Sequence, residues 1–247
     1  MVPAALSFFT TWEDSVLTSG NKKLGSDLIW GFGLPSGRAS ICVGMTATCR
    51  QHCYAVRTEQ YRKGAQARYE ANLKLTRTKG FVRRLRAFLI AHHVRVVRIH
   101  TGGEFYSARY ARQWRRIVRR SPKVRFFAYS RAWRVPAIRA ELEALAREPN
   151  CQIWFSVDRD TGLPDGVPES VRLAWLMADA GDVPSGEVDL IFRVQALRRR
   201  PLMTVGESPV CPAEDGFARA VPVTCDTCRT CWKPPILAAA SATTPSC

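Results

Sequence analysis

Six short apolar runs, each closed by a turn, constrain the fold of this 247-residue chain more than any other feature. They are LIWGFGLP (28–35), VRVVRIH (94–100), VRFFAYS (124–130), CQIWFSVD (151–158), VRLAWLM (171–177) and VDLIFRV (188–194). Runs of this length, rich in Val, Ile and Phe, read as buried strands. VRLAWLM fits helix or strand by pattern; its shortness and the bracketing Pro168 and Gly181 favour a strand. Helical stretches separate the earlier runs, at 56–78, 80–93, 107–121 and 136–149. In the second, Phe81, Leu85, Phe88 and Leu89 form one stripe. In the third, Tyr110, Trp114 and Ile117 mark the buried side. The fourth has Pro136 at its start and Pro149 at its end. Strands alternating with helices over 28–194 imply parallel pairing and right-handed crossovers. The result is an α/β chain, either an incomplete (β/α) barrel or an open doubly wound sheet. Both place function at the carboxyl ends of the strands.

Around this unit the chain divides simply. Residues 1–27 read as an irregular lead-in, 28–200 as the strand–helix domain, 201–235 as a cysteine-bearing segment with little regular structure, and 236–247 as a disordered tail. No stretch approaches eighteen uninterrupted apolar residues, so no membrane partner is expected. The opening MVPAALSFFTTWED lacks a basic region followed by a long apolar one, so no signal peptide is expected. A cytoplasmic location follows, and in that compartment nine cysteines favour metal ligation or redox chemistry over disulfides.

Seven of those cysteines fall into two groups. Cys42, Cys49 and Cys53 lie in one loop after the first strand, in CVGMTATCRQHCYA. Cys211, followed by Pro212, joins Cys225, Cys228 and Cys231 in the C-terminal segment. Cys151 reads as a buried apolar residue of its strand, and Cys247 lies in the tail. The C-terminal four are enough to close a site. Their Cys-x2-Cys-x2-Cys run with a remote Cys-Pro favours an iron–sulfur cluster, with zinc as the alternative. The N-terminal three have no local fourth; His52 adjoins Cys53 too closely to share a metal with it. A 4Fe–4S cubane held by three thiolates keeps one iron open, the arrangement that S-adenosylmethionine (SAM) chelates. The alternative is that a thiol of the C-terminal group closes this site as structural metal.

The second strand runs directly into TGGEFYS. Gly102 and Gly103 allow close backbone approach to a ligand, and Glu104 offers a carboxylate to a cationic amine. A tight turn before a capped helix explains the same residues. Arg98 and His100 share one strand face, which fits either the barrel interior or a satisfied core histidine and a paired arginine.

The net charge of +16 is concentrated: residues 50–134 carry 23 basic and three acidic side chains, whereas 135–247 carry 11 and 15. A basic excess confined to one segment points to a polyanion such as DNA or RNA, or to a solvated face. Arg109, Arg112, Arg116 and Arg119 recur on one side of the 107–121 helix and are its candidate phosphate contacts.

CVGMTATCRQHCYA, HTGGEFYS, FFAYSRA and CDTCRTCWK together resemble the phage gene product 88 family, which in turn resembles the radical SAM superfamily. The resemblance covers roughly residues 20–235. It implies a partial (β/α)6 barrel of parallel strands with a cysteine-rich irregular C-terminal segment. Cys42, Cys49 and Cys53 would bind a 4Fe–4S cluster, and Gly102, Gly103 and Glu104 the methionyl end of SAM. Ser130, Arg131, Ser156 and Asp158, at later strand ends, would serve the carboxylate or ribose. The C-terminal cysteines resemble an auxiliary cluster, and an electron donor is the implied partner. The cysteine spacing of six and three intervening residues, with Tyr54 after the last cysteine, departs from the superfamily's three and two with an aromatic before it.

Overall fold

Each of the six apolar runs forms a strand because its alternate side chains find two different apolar environments. The strands are β1 (Ile29–Phe32), β2 (Val96–Ile99), β3 (Arg125–Ser130), β4 (Cys151–Val157), β5 (Val171–Met177) and β6 (Leu190–Arg193). They make one sheet in chain order, every neighbour parallel, a half-barrel of the (β/α)6 kind. This computed structural model describes residues 16–20, 23–25, 28–214 and 223–233. Most of the expected lead-in, the whole expected tail and Cys247 lie outside the described residues.

Helices α1 (Ala47–Gln51) and α2 (Tyr54–Tyr61) lie in the loop after β1, and the convex face packs against α3 (Lys63–Thr76), α4 (Phe81–Ala91), α5 (Ala108–Arg119) and α6 (Pro136–Ala146). Phe32, Val97, Ile99, Phe126 and Phe155 meet the buried stripes of α4, α5 and α6 there. Trp114 of α5 is fully buried, edge-on to Phe32 and Phe81 at ring-centre distances of 5.2 and 5.7 Å. Ser107 caps α5 by accepting the Tyr110 N–H at 3.2 Å, and Pro136 opens α6.

Two expectations change. The helix expected over 56–78 is two, α2 and α3, broken at Arg62, where the backbone leaves the helical region. The strand–helix alternation also stops after β4: neither 158–170 nor 178–189 contains a helix. Both links are rich in Gly, Pro and Asp, and their aspartates fold them as turns. Asp158 accepts the N–H groups of Asp160 and Thr161, and Asp182 accepts that of Ala178.

The concave face carries Ile29, Val96, Phe127, Trp154, Ala174 and Leu190. The C-terminal segment covers it through Cys211, Ala213, the one-turn helix α7 (Cys225–Cys228), Cys231 and Trp232, while the hairpin β7 (Thr204–Val205) and β8 (Ser208–Pro209) packs beside β6. Backbone bonds anchor it: Cys211 N–H to Ile191 on β6, and Cys225 and Asp226 N–H to Lys23 and Leu24. Both exposed edges are blunted, β1 by Thr18 pairing at Gly31 and β6 by Val210 pairing at Ile191.

Candidate functional site at the carboxyl edge

The loop after β1 turns back over the carboxyl edge of the sheet. Gly44 is there because nothing larger fits: a Cβ would sit 2.0 Å from the carbonyl oxygen of Arg131, at the end of β3. Thr46 caps α1 by accepting the Cys49 N–H at 3.0 Å and donates its hydroxyl to Asp158 at 2.7 Å. Asp160 accepts the Thr48 N–H at 2.8 Å. Cys42 lies in the turn, Cys49 on α1, and Cys53 at the N-cap of α2.

These contacts hold the three thiols at one edge of the sheet, within electrostatic reach of one another and of Glu104, with Asp158 acting on Cys49. Burial pushes the Cys42 thiol up to about 12, and Glu104, Cys53 and Cys49 reinforce the rise. Burial also raises Cys49; Arg131 opposes it, and Cys53, Glu104 and Asp158 add to it. All three are half-buried and free of disulfides. Among the described residues no three His, Cys, Asp or Glu side chains converge on a single metal ion.

Glu104 is buried and turned inward. One carboxylate oxygen accepts the Phe105 N–H and the other the Arg131 N–H, each at 2.7 Å. Burial raises its pKa despite these bonds. Asp158 is fully buried and pairs with the Arg131 guanidinium at 2.8 Å. Ser130 is fully buried and accepts the Ala132 N–H at 3.1 Å. Ser156 contributes its carbonyl, which accepts the Trp133 indole N–H at 2.9 Å.

The Thr101–Gly103 turn is fixed from three sides. Ser36 Oγ accepts the Gly103 N–H at 3.0 Å, Tyr54 donates to the Thr101 carbonyl at 2.8 Å, and Tyr69 bonds the Thr101 hydroxyl at 3.1 Å. The room left by the glycines is taken by the chain itself. A Cβ on Gly102 would lie 2.8 Å from Ser36 Oγ, and one on Gly103, at φ 76°, would lie 2.5 Å from Leu34 Cβ. His100 does not point into the barrel. Its left-handed backbone, φ 67°, breaks the strand alternation and turns the ring to the convex core, where Nε2 meets the Tyr110 hydroxyl at 2.9 Å. Arg98 does point inward, donating to the Tyr54 hydroxyl at 3.0 Å and lying over the Tyr129 ring.

The C-terminal cysteines occupy the barrel interior. Cys211, Cys225 and Cys231 are buried among the concave-face residues, and Cys228 is half-buried beside Thr230. Tyr129 donates to the Cys231 sulfur at 2.8 Å, and the Trp154 indole to the Cys231 carbonyl at 3.0 Å. Burial pushes Cys211 up to about 11 and Cys231 up to about 12. Lys23 lies beside them; burial disfavours its charge, but Cys211 and Glu214 outweigh that and hold it protonated. A continuous path therefore joins the two groups: Cys53, adjacent Tyr54, Arg98, Tyr129 and Cys231. Cys151 is a half-buried residue of β4 packed on the convex core.

Of the expected arginine stripe, Arg112 pairs with Glu141 at 2.8 Å and Arg119 with Glu148 at 3.6 Å, both on the α6 side. Arg109 and Arg116 are exposed. Sequence reasoning missed Thr46, Ser36 and Tyr69. Only Thr46 had a local signal, a hydroxyl three residues before Cys49 at the start of a helix.

The chain is 29% identical over 177 residues to the "Gene 88 protein" of Mycobacterium phage L5, covering 67% of this chain and 68% of that one. It is 30% identical over 156 residues to the "Gene 88 protein" of Mycobacterium phage D29, covering 59% and 62%. No solved structure matches. The family model for gene product 88 matches residues 15–234, which takes in both cysteine groups and the whole sheet. The chain belongs to the gene product 88 family.

Proposed function

We propose that this protein is an iron–sulfur enzyme of the radical SAM type, acting from the carboxyl edge of its half-barrel. One observation supports this above all: three free thiols of a single loop gather at that edge beside Glu104 and the Arg131–Asp158 pair. Their chemistry fits a thiophilic centre, because buried neighbouring thiols gain charge only against a cation. A tetrahedral zinc ion needs sulfurs about 3.8 Å apart. A four-iron cubane is wider and suits thiols that are neighbours without converging on one point.

In this reading Cys42, Cys49 and Cys53 hold a 4Fe–4S cluster with one iron open to SAM. Gly102, Gly103 and Glu104 serve the methionyl end, and Ser130, Ser156 and Asp158 the carboxylate or ribose. When bound, the pair would supply reductive one-electron cleavage of SAM and hydrogen-atom abstraction from the substrate. An electron donor is required as a partner. The chain's own residues orient the reactants and exclude water. Cys211, Cys225, Cys228 and Cys231 hold a second iron–sulfur cluster or zinc inside the barrel.

The test is anaerobic reconstitution with iron and sulfide, followed by reductant and SAM. The expected product is 5′-deoxyadenosine, lost in Cys42→Ala, Cys49→Ala and Cys53→Ala together with part of the iron. Full iron loading with no 5′-deoxyadenosine overturns the proposal. It would leave a second reading: a non-catalytic iron–sulfur or zinc protein that binds nucleic acid as a regulator of a phage or mobile element. Two observations favour that reading. Leu34 and Ser36 fill the space beside the glycines, and the Asp158 carboxylate already serves Thr46, Arg131, Asp160 and Thr161.

No helix among the described residues is long and apolar enough to cross a membrane.

A further inference from the structure

Helices α4 and α5 pack side by side on the convex face, and a groove of about 680 Å³ runs between them. From the α4 side it is lined by Lys79, Arg83 and Arg86. From the α5 side Arg109, Arg112, Arg116 and Arg120 face them. Spacings of three and four residues hold each row on one helix face. Only Arg112 is neutralised, by Glu141; the other six cations have no carboxylate partner among the described residues. Two rows of like charge facing across a groove repel each other, and nothing in the groove wall relieves them. Arg86 is the sharpest case, because its Nε is buried without a hydrogen-bond partner.

We propose that this groove binds the phosphate backbone of nucleic acid. From Arg109 to Arg120 the track is about 16 Å long. Arginine forks match phosphate oxygens two at a time, and six unpaired cations in two facing rows along one groove match a polymer of regularly spaced anions. An anionic membrane surface fits less well. Val82 is the sole apolar side chain lining the groove, which offers nothing to insert among lipid tails. The track begins at Lys79 and Arg109, at the N-terminal ends of helices that run antiparallel to the strands. A bound strand therefore reaches the level of the carboxyl edge, where the three-cysteine loop lies. The residue set also differs from a simple helix stripe: Arg119 leaves it for Glu148, and the α4 side supplies three of the seven cations. This inference rests on the nucleic-acid reading of the basic segment and not on the cofactor.

The experiment measures binding of labelled single-stranded and duplex oligonucleotides by fluorescence anisotropy, with metal-free full-length protein, between about 50 and 200 mM salt. Wild-type affinity should fall linearly on a log–log plot, with a slope near −4 for single strands or −5 for duplex if all six cations engage phosphates. The double variant Arg83→Ala/Arg116→Ala changes exposed side chains, so it should fold. It should weaken binding at least tenfold and reduce the slope by about 1.5 to 2. Arg199→Ala/Arg200→Ala removes the same charge beyond β6 and should change neither. If the two doubles lose affinity equally, binding is diffuse and the groove is not the site, although nucleic acid remains the partner. No binding by the wild type overturns both. Anionic vesicles bound as tightly as oligonucleotides would make the surface a membrane contact and overturn the proposal as well.

Discussion

Asp158 shows how one side chain can set a whole edge. Its two oxygens accept from the Thr46 hydroxyl, the Arg131 guanidinium and the N–H groups of Asp160 and Thr161. Asp158→Ala would strand the Arg131 charge in a buried site, which costs about 3–5 kcal/mol. A urea melt should show that loss, and a change below about 1 kcal/mol would mean the edge is held by something else. The sequence identified Asp158 as polar and at a strand end. It did not reveal that its partner Thr46 lies 112 positions earlier, because nothing local encodes that pairing. For His100 strand parity leaves barrel interior and core both open, and the backbone decides for the core: parity holds only while the chain stays extended, and here φ is 67°. Buried against aromatic rings and near Arg98, its pKa is lowered to about 3. The unfolded chain takes up that proton below about 6.5 and the folded one does not. Stability is therefore complete above 6.5 and is lost as pH falls toward 3, by about 4 kcal/mol at the lower end. His100→Asn, which tolerates a left-handed backbone, should be less stable at neutral pH yet show a flatter profile across that window in pH-dependent denaturation. An unchanged slope would assign the acid sensitivity to other groups.

At the scale of elements, all six strands and the cores of α4, α5 and α6 were legible. Their signals are periodic burial and end punctuation, and both are local. The helix-free links after β4 are less legible, because strand–helix alternation is the sequence signal for parallel pairing. Asp158 and Asp182 show the substitute, a carboxylate that satisfies the turn's own N–H groups. The start of α5 matters most to the candidate site, since it follows the Gly-Gly-Glu turn by three residues. Ser107 supplies the only side-chain cap there, with no acidic residue in the first turn. Ser107→Ala should cost about 1 kcal/mol. Hydrogen exchange should quicken at Tyr110 and its neighbours, and protection as in wild type would mean that the buried Trp114 and Ile117 alone hold the helix end.

Across the whole molecule, the C-terminal segment is the inner wall of the fold as well as the seat of four cysteines. A half-barrel leaves its concave face open, and here that face carries Ile29, Val96, Phe127, Trp154 and Leu190. Each such side chain is worth about 1.5–3 kcal/mol when covered, so uncovering all five costs on the order of 10 kcal/mol. That is comparable to the entire stability of an ordinary domain. The cover is also bonded in place, by Trp154 and Tyr129 to Cys231 and by Arg172 to the Thr230 carbonyl at 2.9 Å. The sequence marks this stretch as cysteine-rich and is silent about where it packs. A chain ending at Arg200 should therefore fail to fold cooperatively even where no metal is present. It should bind a hydrophobic dye and lose the near-ultraviolet dichroism of its buried tryptophans, while Cys228→Ser, which keeps the wall, should retain both properties of the parent. If the shortened chain melted as sharply as the full one and bound no dye, the segment would be an appendage, and the path from Cys53 through Tyr54, Arg98 and Tyr129 would end at a surface.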